Sequence, residues 1–223
     1  MNEEKEPWMC FLVPSVGRKA LSRALNSIRN QNRDGWRALV VFDGEGKNIP
    51  EEFKDDARFT FINAPYTKSA GLTRNYGMRY IQEEWIAFLD DDDHLREDYC
   101  QRLEEEIQRF PEVKTVIWRI LHQKDIVPDP NSSDFRIGRV GIAFAIHHTV
   151  FENYGLSFCN EYAEDFKLLR DIRSRKLPMV ISPYVLYTVR HVSFDKLQHK
   201  NFEETEVNRV RINEDAIPQN LSS

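Results

Sequence analysis

The chain has 223 residues, of which 41% are hydrophobic and 30% are charged, and its formal net charge is −5 at pH 7. This length suits one domain with a real core or at most two small domains. The acidic balance excludes a broad basic surface for nucleic acid or anionic membrane, and no apolar run approaches the roughly 20 residues of a membrane helix. Residues 1–7 are too acidic and polar for a signal peptide. Three scattered cysteines indicate a reducing compartment, so we expect a cytoplasmic protein.

The first half of the chain alternates strand-like and helix-like segments. Apolar runs predict strands at residues 9–13, 38–42, 59–62, 85–89 and 113–117. Apolar residues at helical spacing predict helices around residues 21–28, over residues 71–80 and around residues 103–107. This alternation predicts an α/β fold with a largely parallel sheet and helices on both faces.

The second half is less regular. Residues 125–141 are predicted to form a loop, and residues 142–146 and 180–187 to form strands. A helix is predicted to open at Glu164 and Asp165, with apolar residues after them on one face. From about residue 195 the chain is polar, and weak periodicity predicts a surface helix followed by a frayed tail.

Four consecutive aspartates, Asp90 to Asp93, follow the predicted strand at residues 85–89. An apolar run that ends in carboxylates is typical of a buried strand that brings acidic groups to a sheet edge. Adjacent carboxylates repel one another, and a divalent cation such as Mg²⁺ offsets this because hard cations choose oxygen ligands. The alternative is a solvated acidic turn that caps the next helix. The preceding strand favours the cation.

Three polar turns follow predicted strands. These are Pro14-Ser15, Asp43-Gly44 and the aspartate run. In parallel α/β sheets, ligands bind beyond the carboxyl ends of the strands. The convergence of the three turns at that edge predicts a nucleotide or phosphate site.

The order of short motifs resembles glycosyltransferase family 2 over about residues 8–195. The motifs lie at residues 13–15, 42–44, 71–75, 88–93, 164–165 and 187–191. The resemblance implies the GT-A fold, an α/β fold whose mixed, mostly parallel central sheet is flanked by helices, with a smaller acceptor-side sheet. It implies one domain, in which residues 8–118 bind the nucleotide sugar, residues 119–195 bind the acceptor and residues 196–223 form the surface helix and tail.

The same resemblance implies a metal-dependent, inverting transfer of a sugar from a nucleoside-diphosphate sugar, with a UDP-sugar favoured, to a glycan hydroxyl. Asp92 would bind Mn²⁺ or Mg²⁺, which stabilises the leaving diphosphate. Asp90 or Asp91 would reach the ribose or a metal-bound water. Four aspartates also allow the register Asp91/Asp93, although Asp90/Asp92 follows the strand more directly. His191 matches a late histidine that completes the metal shell in some relatives.

Five further residues are implied to bind the donor. Pro14 and Ser15 would line the nucleotide pocket, and Asp43 would accept hydrogen bonds from the base or ribose. The alternative role of Asp43 is that of a β-turn residue before Gly44, which is a frequent turn pair. Arg18 and Arg74 are candidates for the diphosphate because guanidinium groups match phosphate oxygens. Arg18 equally suits a solvated helix charge.

On the acceptor side, the family's acidic pair maps onto Glu164 and Asp165. Asp165 would be the general base that removes a proton from the attacking hydroxyl, and Glu164 would orient the backbone or the acceptor. The alternative is an acidic pair that only stabilises a helix start.

Two other function classes fit parts of the pattern. A nucleotidyltransferase would need a Gly-rich basic loop near the first strand, but residues 13–19 contain one glycine and two basic residues. A non-catalytic module that binds nucleotide sugar or metal would have no need of the base at Asp165.

Overall fold

The computed structural model describes residues 6–123, 125–130, 138–190, 192–195, 204–205 and 208–213. Its strands are β1 (Met9–Ser15), β2 (Trp36–Asp43), β3 (Phe59–Ala64), β4 (Trp85–Phe88), β5 (His94–Leu95), β6 (Thr115–His122), β7 (Asp125–Val127), β8 (Phe144–His147), β9 (Met179–Thr188) and β10 (Val210–Ile212). Its helices are α1 (Leu21–Arg29), α2 (Ala70–Met78), α3 (Tyr99–Arg109), α4 (Thr149–Tyr154) and α5 (Glu164–Ser174), with a 3-10 turn at Glu51–Phe53. Each strand and helix predicted before residue 195 has a counterpart.

The described strands form one sheet in the order β10-β9-β6-β8-β4-β1-β2-β3, with β5 added to β9 and β7 added to β6. Parallel pairing joins β3, β2, β1 and β4, and also β6 and β9. Strand β8 is antiparallel to both β4 and β6, so these two groups point the same way. The mixed, mostly parallel fold is confirmed. The expected smaller second sheet does not appear among the described strands, because β7, β8 and β9 belong to the same sheet as β1 to β4.

Helix α2 lies unusually close to the sheet. A Cβ atom on Gly77 would lie 2.6 Å from Leu12 Cδ1 and 2.7 Å from Val41 Cγ2, so only glycine allows this approach. All seven residues of β1 are buried, as expected for a parallel strand covered on both faces. The close packing fixes α2 over the ends of β1 and β2.

Two segments differ from the sequence-based expectation. The predicted loop at residues 125–141 begins with β7, which pairs with β6. The predicted surface helix contains β10, which pairs antiparallel with β9. Its β-branched Val210 and Ile212 alternate with Arg211, which suits an edge strand. The apolar residues at 197, 202 and 207, on which the helix prediction also rested, lie outside the described residues.

Candidate active site

A cavity of about 580 Å³ lies at the carboxyl ends of β1, β2 and β4. Its walls come from the turn after β1, the loop before α2 and the acidic loop, which we define as residues 90–93. It is lined by Pro14, Ser15, Val16, Arg18, Asp43, Tyr66, Lys68, Ser69, Ala70, Thr73, Asp90, Asp91, Asp92 and Arg190. The three turns predicted to converge therefore lie at one cavity.

The four aspartates of the acidic loop alternate in exposure. Asp91 and Asp93 are buried, at 1% and 5% exposure. The side chains of Asp90 and Asp92 are 36% and 28% exposed. The carboxylates available to a ligand are thus Asp90 and Asp92, which favours the Asp90/Asp92 register.

Asp91 holds the turn after β1 against the acidic loop. Its Oδ2 accepts hydrogen bonds from Ser15 Oγ at 2.6 Å and from the Val16 N–H at 3.1 Å, and its Oδ1 pairs with the Arg18 guanidinium. Because both oxygens have internal donors, Asp91 does not present a free carboxylate to a ribose or a metal-bound water. Arg18 lines the cavity, and its side chain is half exposed beside Asp91.

Asp93 holds the end of β9. Its Oδ2 accepts a hydrogen bond from Tyr187 Oη at 2.8 Å, and its Oδ1 accepts one from the Arg190 N–H at 2.8 Å. Burial, with the nearby charge of Asp90, raises the pKa of Asp93 to about 7. These bonds bring Arg190 to the cavity, where its Nε lies 3.8 Å from Asp92 Oδ2.

Asp43 shapes the loop before α2. Its Oδ1 accepts hydrogen bonds from Thr67 N–H at 2.7 Å and Thr67 Oγ1 at 3.0 Å, and its Oδ2 accepts one from Lys68 N–H at 2.8 Å. The loop carries Tyr66 and Lys68 to the cavity, with Lys68 Nζ 5.6 Å from the Tyr66 ring centroid. Neither residue was predicted, because a single aromatic and a single lysine in a loop have no pattern.

Two exposed apolar side chains face this cavity. Val16 is 46% exposed and Tyr66 is 66% exposed, and both line the cavity. Gly44 has a φ of +88°, and a Cβ there would lie 3.2 Å from Tyr66 Cβ. The glycine therefore allows both the turn and the approach of the tyrosine. This part of the cavity suits a flat, partly apolar group.

The first turn of α2 forms another wall. Ser69 caps the helix by accepting the Leu72 N–H at 3.3 Å, and Ser69, Ala70 and Thr73 line the cavity. Helix N-termini favour anions because their backbone N–H groups and the helix dipole point outward. With Lys68 beside it, this wall suits phosphate oxygens.

Arg74 does not line the cavity, contrary to the prediction that it binds a diphosphate. It is 1% exposed, and its guanidinium donates to Asp90 Oδ1 at 2.5 Å and to Glu164 Oε1 at 2.8 Å. The sequence pattern marked the arginine but gave no sign of its burial, because Glu164 lies far away in the chain. Arg74 links the acidic loop to the first turn of α5.

Asp165 follows Glu164 in that first turn and is partly buried. Its Oδ1 accepts the Phe166 N–H at 2.7 Å. Burial raises the pKa of Asp165 to about 6; the Phe166 hydrogen bond and Arg74 oppose the rise, and the charges of Glu164 and Asp90 add to it. A carboxyl with this pKa is mostly ionised at neutral pH and still able to accept a proton.

Other candidate residues lie elsewhere. Trp118 is fully buried and packs edge-on against Tyr99, so it does not form a wall of the site. His147 pairs with Trp85 at the amino end of β4, away from the acidic loop. His148 Nδ1 donates to the Glu83 carbonyl oxygen there at 3.1 Å. His191 lies outside the described residues.

In the part of the chain that the structure describes, no three His, Cys, Asp or Glu side chains are arranged to hold a metal ion. Asp90 and Asp92 nevertheless offer carboxylate oxygens at the cavity. Mg²⁺ is commonly held by one or two carboxylates together with water and substrate phosphates. The donor set therefore fits a cation that binds with a phosphate ligand.

The family model for glycosyl transferase family 2 matches residues 10–189, most of the chain. The protein belongs to glycosyl transferase family 2. Among its described helices, none is long and apolar enough to cross a membrane.

Curated relatives of this family 2 protein match over part of their length. A GalNAc(5)-diNAcBac-PP-undecaprenol beta-1,3-glucosyltransferase of Campylobacter jejuni is 32% identical over 95 residues, which cover 40% of this chain and 31% of that protein. The Escherichia coli UDP-Glc:alpha-D-GlcNAc-diphosphoundecaprenol beta-1,3-glucosyltransferase WfgD is 31% identical over 88 residues, covering 37% and 34%. The matches span only 24% to 40% of the curated relatives' lengths.

Solved structures share the fold. Staphylococcus aureus TarS 1-349 in complex with UDP-GlcNAc has a TM-score of 0.68 at 14% identity, covering 86% of this chain and 61% of that one. The Pyrobaculum calidifontis mannosyltransferase PcManGT in complex with GDP-Man and Mn²⁺ has a TM-score of 0.65 at 16% identity, covering 88% and 60%. At these identities the likeness establishes the fold alone.

Proposed function

We propose that this protein transfers a sugar from a nucleoside-diphosphate sugar to a hydroxyl group of a glycan, with inversion at the anomeric carbon. One observation carries the proposal. A cavity with two partly exposed carboxylates, Asp90 and Asp92, and three cationic side chains, Arg18, Lys68 and Arg190, lies where parallel strands end. The charges suit a diphosphate with a divalent cation, and the family membership agrees.

The donor is a UDP-sugar in this proposal. The base lies against Val16 and Tyr66, near Asp43, and the diphosphate lies toward Lys68, Arg190 and the first turn of α2. Support comes from TarS, whose structures hold UDP and UDP-GlcNAc. Pro14 and Ser15 line the pocket beside the base, and Arg18 adds positive charge at its rim.

Asp92 and Asp90 would hold Mn²⁺ or Mg²⁺ together with the diphosphate. The cation supplies charge stabilisation to the leaving diphosphate. Its support is the exposure of these two carboxylates and the presence of Mn²⁺ in the PcManGT complex. Arg190, whose Nε lies 3.8 Å from Asp92, would add a second positive charge on the same side.

Asp165 is the general base of the proposal. It takes the proton from the acceptor hydroxyl as that oxygen attacks the anomeric carbon from the face opposite the diphosphate. A single displacement of this kind inverts the anomeric configuration. We further propose that residues 8–118 bind the donor. Residues 119–195, which include Asp165, bind the acceptor.

A thermal-shift screen tests the proposal. UDP, GDP and dTDP sugars are each added with and without Mn²⁺, and we expect the UDP compounds with Mn²⁺ to raise the melting temperature most, because ligands that bind the native state stabilise it. No shift with any nucleotide in the presence of Mn²⁺ would contradict the function. Release of pyrophosphate from UTP and a sugar phosphate would instead indicate a nucleotidyltransferase.

A further inference from the structure

Arg74 is a buried cation between two acidic groups that lie 74 residues apart in sequence, Asp90 and Glu164. Its guanidinium bridges them at 2.5 Å and 2.8 Å, and it also lies over the Phe158 ring, 5.2 Å from the centroid. Its Nε has no hydrogen-bond partner among the described residues. The hydrogen bonds of Arg74 therefore go to the acidic loop and to the first turn of α5.

A buried guanidinium is costly to keep. Removing a charge from water has a large penalty that a buried ion pair barely repays, so such pairs are weak evidence for a role in stability alone. Arg74 uses one nitrogen for Asp90 Oδ1, while the same aspartate is 36% exposed and lines the cavity. Arg74 thus orients the Asp90 carboxylate, which faces the cavity, although Arg74 itself does not line the cavity.

Helix α2 holds the acceptor-side loop at two more points. The Asn75 side chain donates to Phe158 O at 2.7 Å and accepts the Phe158 N–H at 2.9 Å. A Cβ on Gly71 would lie 2.9 Å from Cys159 O and 3.0 Å from Glu164 Cγ. These two contacts fix the loop against α2, whereas Arg74 also contacts the acidic loop. Arg74 therefore links the two carboxylate regions.

We propose that Arg74 is a positioning residue that ties the acidic loop to the first turn of α5 and so holds Asp165 in place relative to Asp90. The inference rests on the proposed function, since it assigns the tie to the sugar-transfer reaction. It replaces contact with the diphosphate as the role of this arginine. A misplacement of about 1 Å at a reacting group can cost about 100-fold in rate, so loss of the tie would reduce turnover while nucleotide binding persists.

The tie also affects the base electrostatically. The charges of Glu164 and Asp90 raise the pKa of Asp165, whereas Arg74 and the Phe166 N–H lower it. Loss of the Arg74 charge should therefore move the acidic limb of the pH–turnover profile to higher pH.

The test compares Arg74→Gln with Arg79→Gln, an exposed arginine at the end of the same helix. Calorimetry measures the affinity for UDP without metal, and turnover is followed as UDP release from UDP-Glc or UDP-GlcNAc. Hydrogen exchange is measured over residues 158–172. We expect Arg74→Gln to keep the affinity for metal-free UDP, to lose about 100-fold in turnover and to exchange faster in the first turn of α5. Arg79→Gln should match the wild type.

Weakened binding of metal-free UDP with unchanged exchange would make Arg74 a phosphate ligand and overturn the proposal, as would unchanged turnover. If Arg74→Gln does not fold, Glu164→Gln breaks the tie from the other side, with the exposed Glu161→Gln as its control. Wild-type turnover and exchange in Glu164→Gln would then overturn it. A wild-type protein that binds no nucleotide would defeat the proposed function instead, while the exchange measurement would still test the tie.

Discussion

The acidic loop and the first turn of α5 both place carboxylates side by side, but their surroundings differ. In the acidic loop, Asp91 and Asp93 accept internal hydrogen bonds through both carboxylate oxygens and Asp90 accepts one from Arg74, while Asp92 is partly exposed at the cavity. In α5, Glu164 accepts a hydrogen bond from the Arg74 guanidinium. Asp165 accepts one from the Phe166 N–H, and its pKa is raised to about 6. In the proposed function, carboxylates would therefore bind a cation in one place and accept a proton in the other. The neighbours decide which role it takes.

The largest effect should come from Asp165→Asn. A positioned general base contributes about 10²–10⁴-fold, so transfer should fall by that range. Binding of UDP with Mn²⁺, measured by calorimetry, should not change because Asp165 does not line the donor cavity. Glu161→Gln is the control, since Glu161 is exposed and pairs with Lys167. Near wild-type transfer in Asp165→Asn would place the base elsewhere.

Asp92→Asn should remove the metal-dependent part of UDP binding. Partners of metal ligands already change metal affinity by about 10–100-fold, so loss of a ligand should cost at least about 10-fold. Calorimetry with and without Mn²⁺ measures the difference. An unchanged metal-dependent affinity would remove Asp92 from the site.

Asp91→Asn sharpens the contrast within the acidic loop. It takes a buried acceptor from Ser15, Val16 and Arg18 and should lower the free energy of unfolding by about 1–3 kcal/mol. Urea unfolding measures this change, with Asp92→Asn as the matched variant that should cost less. If Asp92→Asn were the more destabilising of the two, the assigned division between internal and ligand-facing aspartates would be reversed.

The smallest effect is the pH dependence of transfer. Asp165 must be ionised to accept a proton, and its pKa is raised to about 6. Transfer should therefore rise with pH through about 6 and level off above it, and its acidic limb should be absent from any residual activity of Asp165→Asn. A limb near pH 4, the range of an ordinary carboxyl, would mean that the base is solvated.

Sequence patterns predicted the cavity at the strand ends of residues 8–118 more fully than the contacts made by residues 119–195. Ser15, Asp43 and Asp90 were predicted to converge because parallel strands end at one edge, whatever the side chains do afterwards. The burial of Arg74 was missed because it depends on Glu164, which no local periodicity connects to it. Strand β10 was missed because three residues are too few for a period-two pattern to stand out. Tyr66 carries no pattern at all.

The stereochemistry of transfer tests the central claim most directly. Proton NMR is recorded on the first-formed product from UDP-Glc or UDP-GlcNAc, whose equatorial 2-substituent makes the coupling at the new anomeric centre diagnostic. If Asp165 acts as a base in a single displacement, the donor's α configuration becomes β and the coupling is large. A product that keeps the α configuration would contradict both the single inverting displacement and the role of Asp165 as its base.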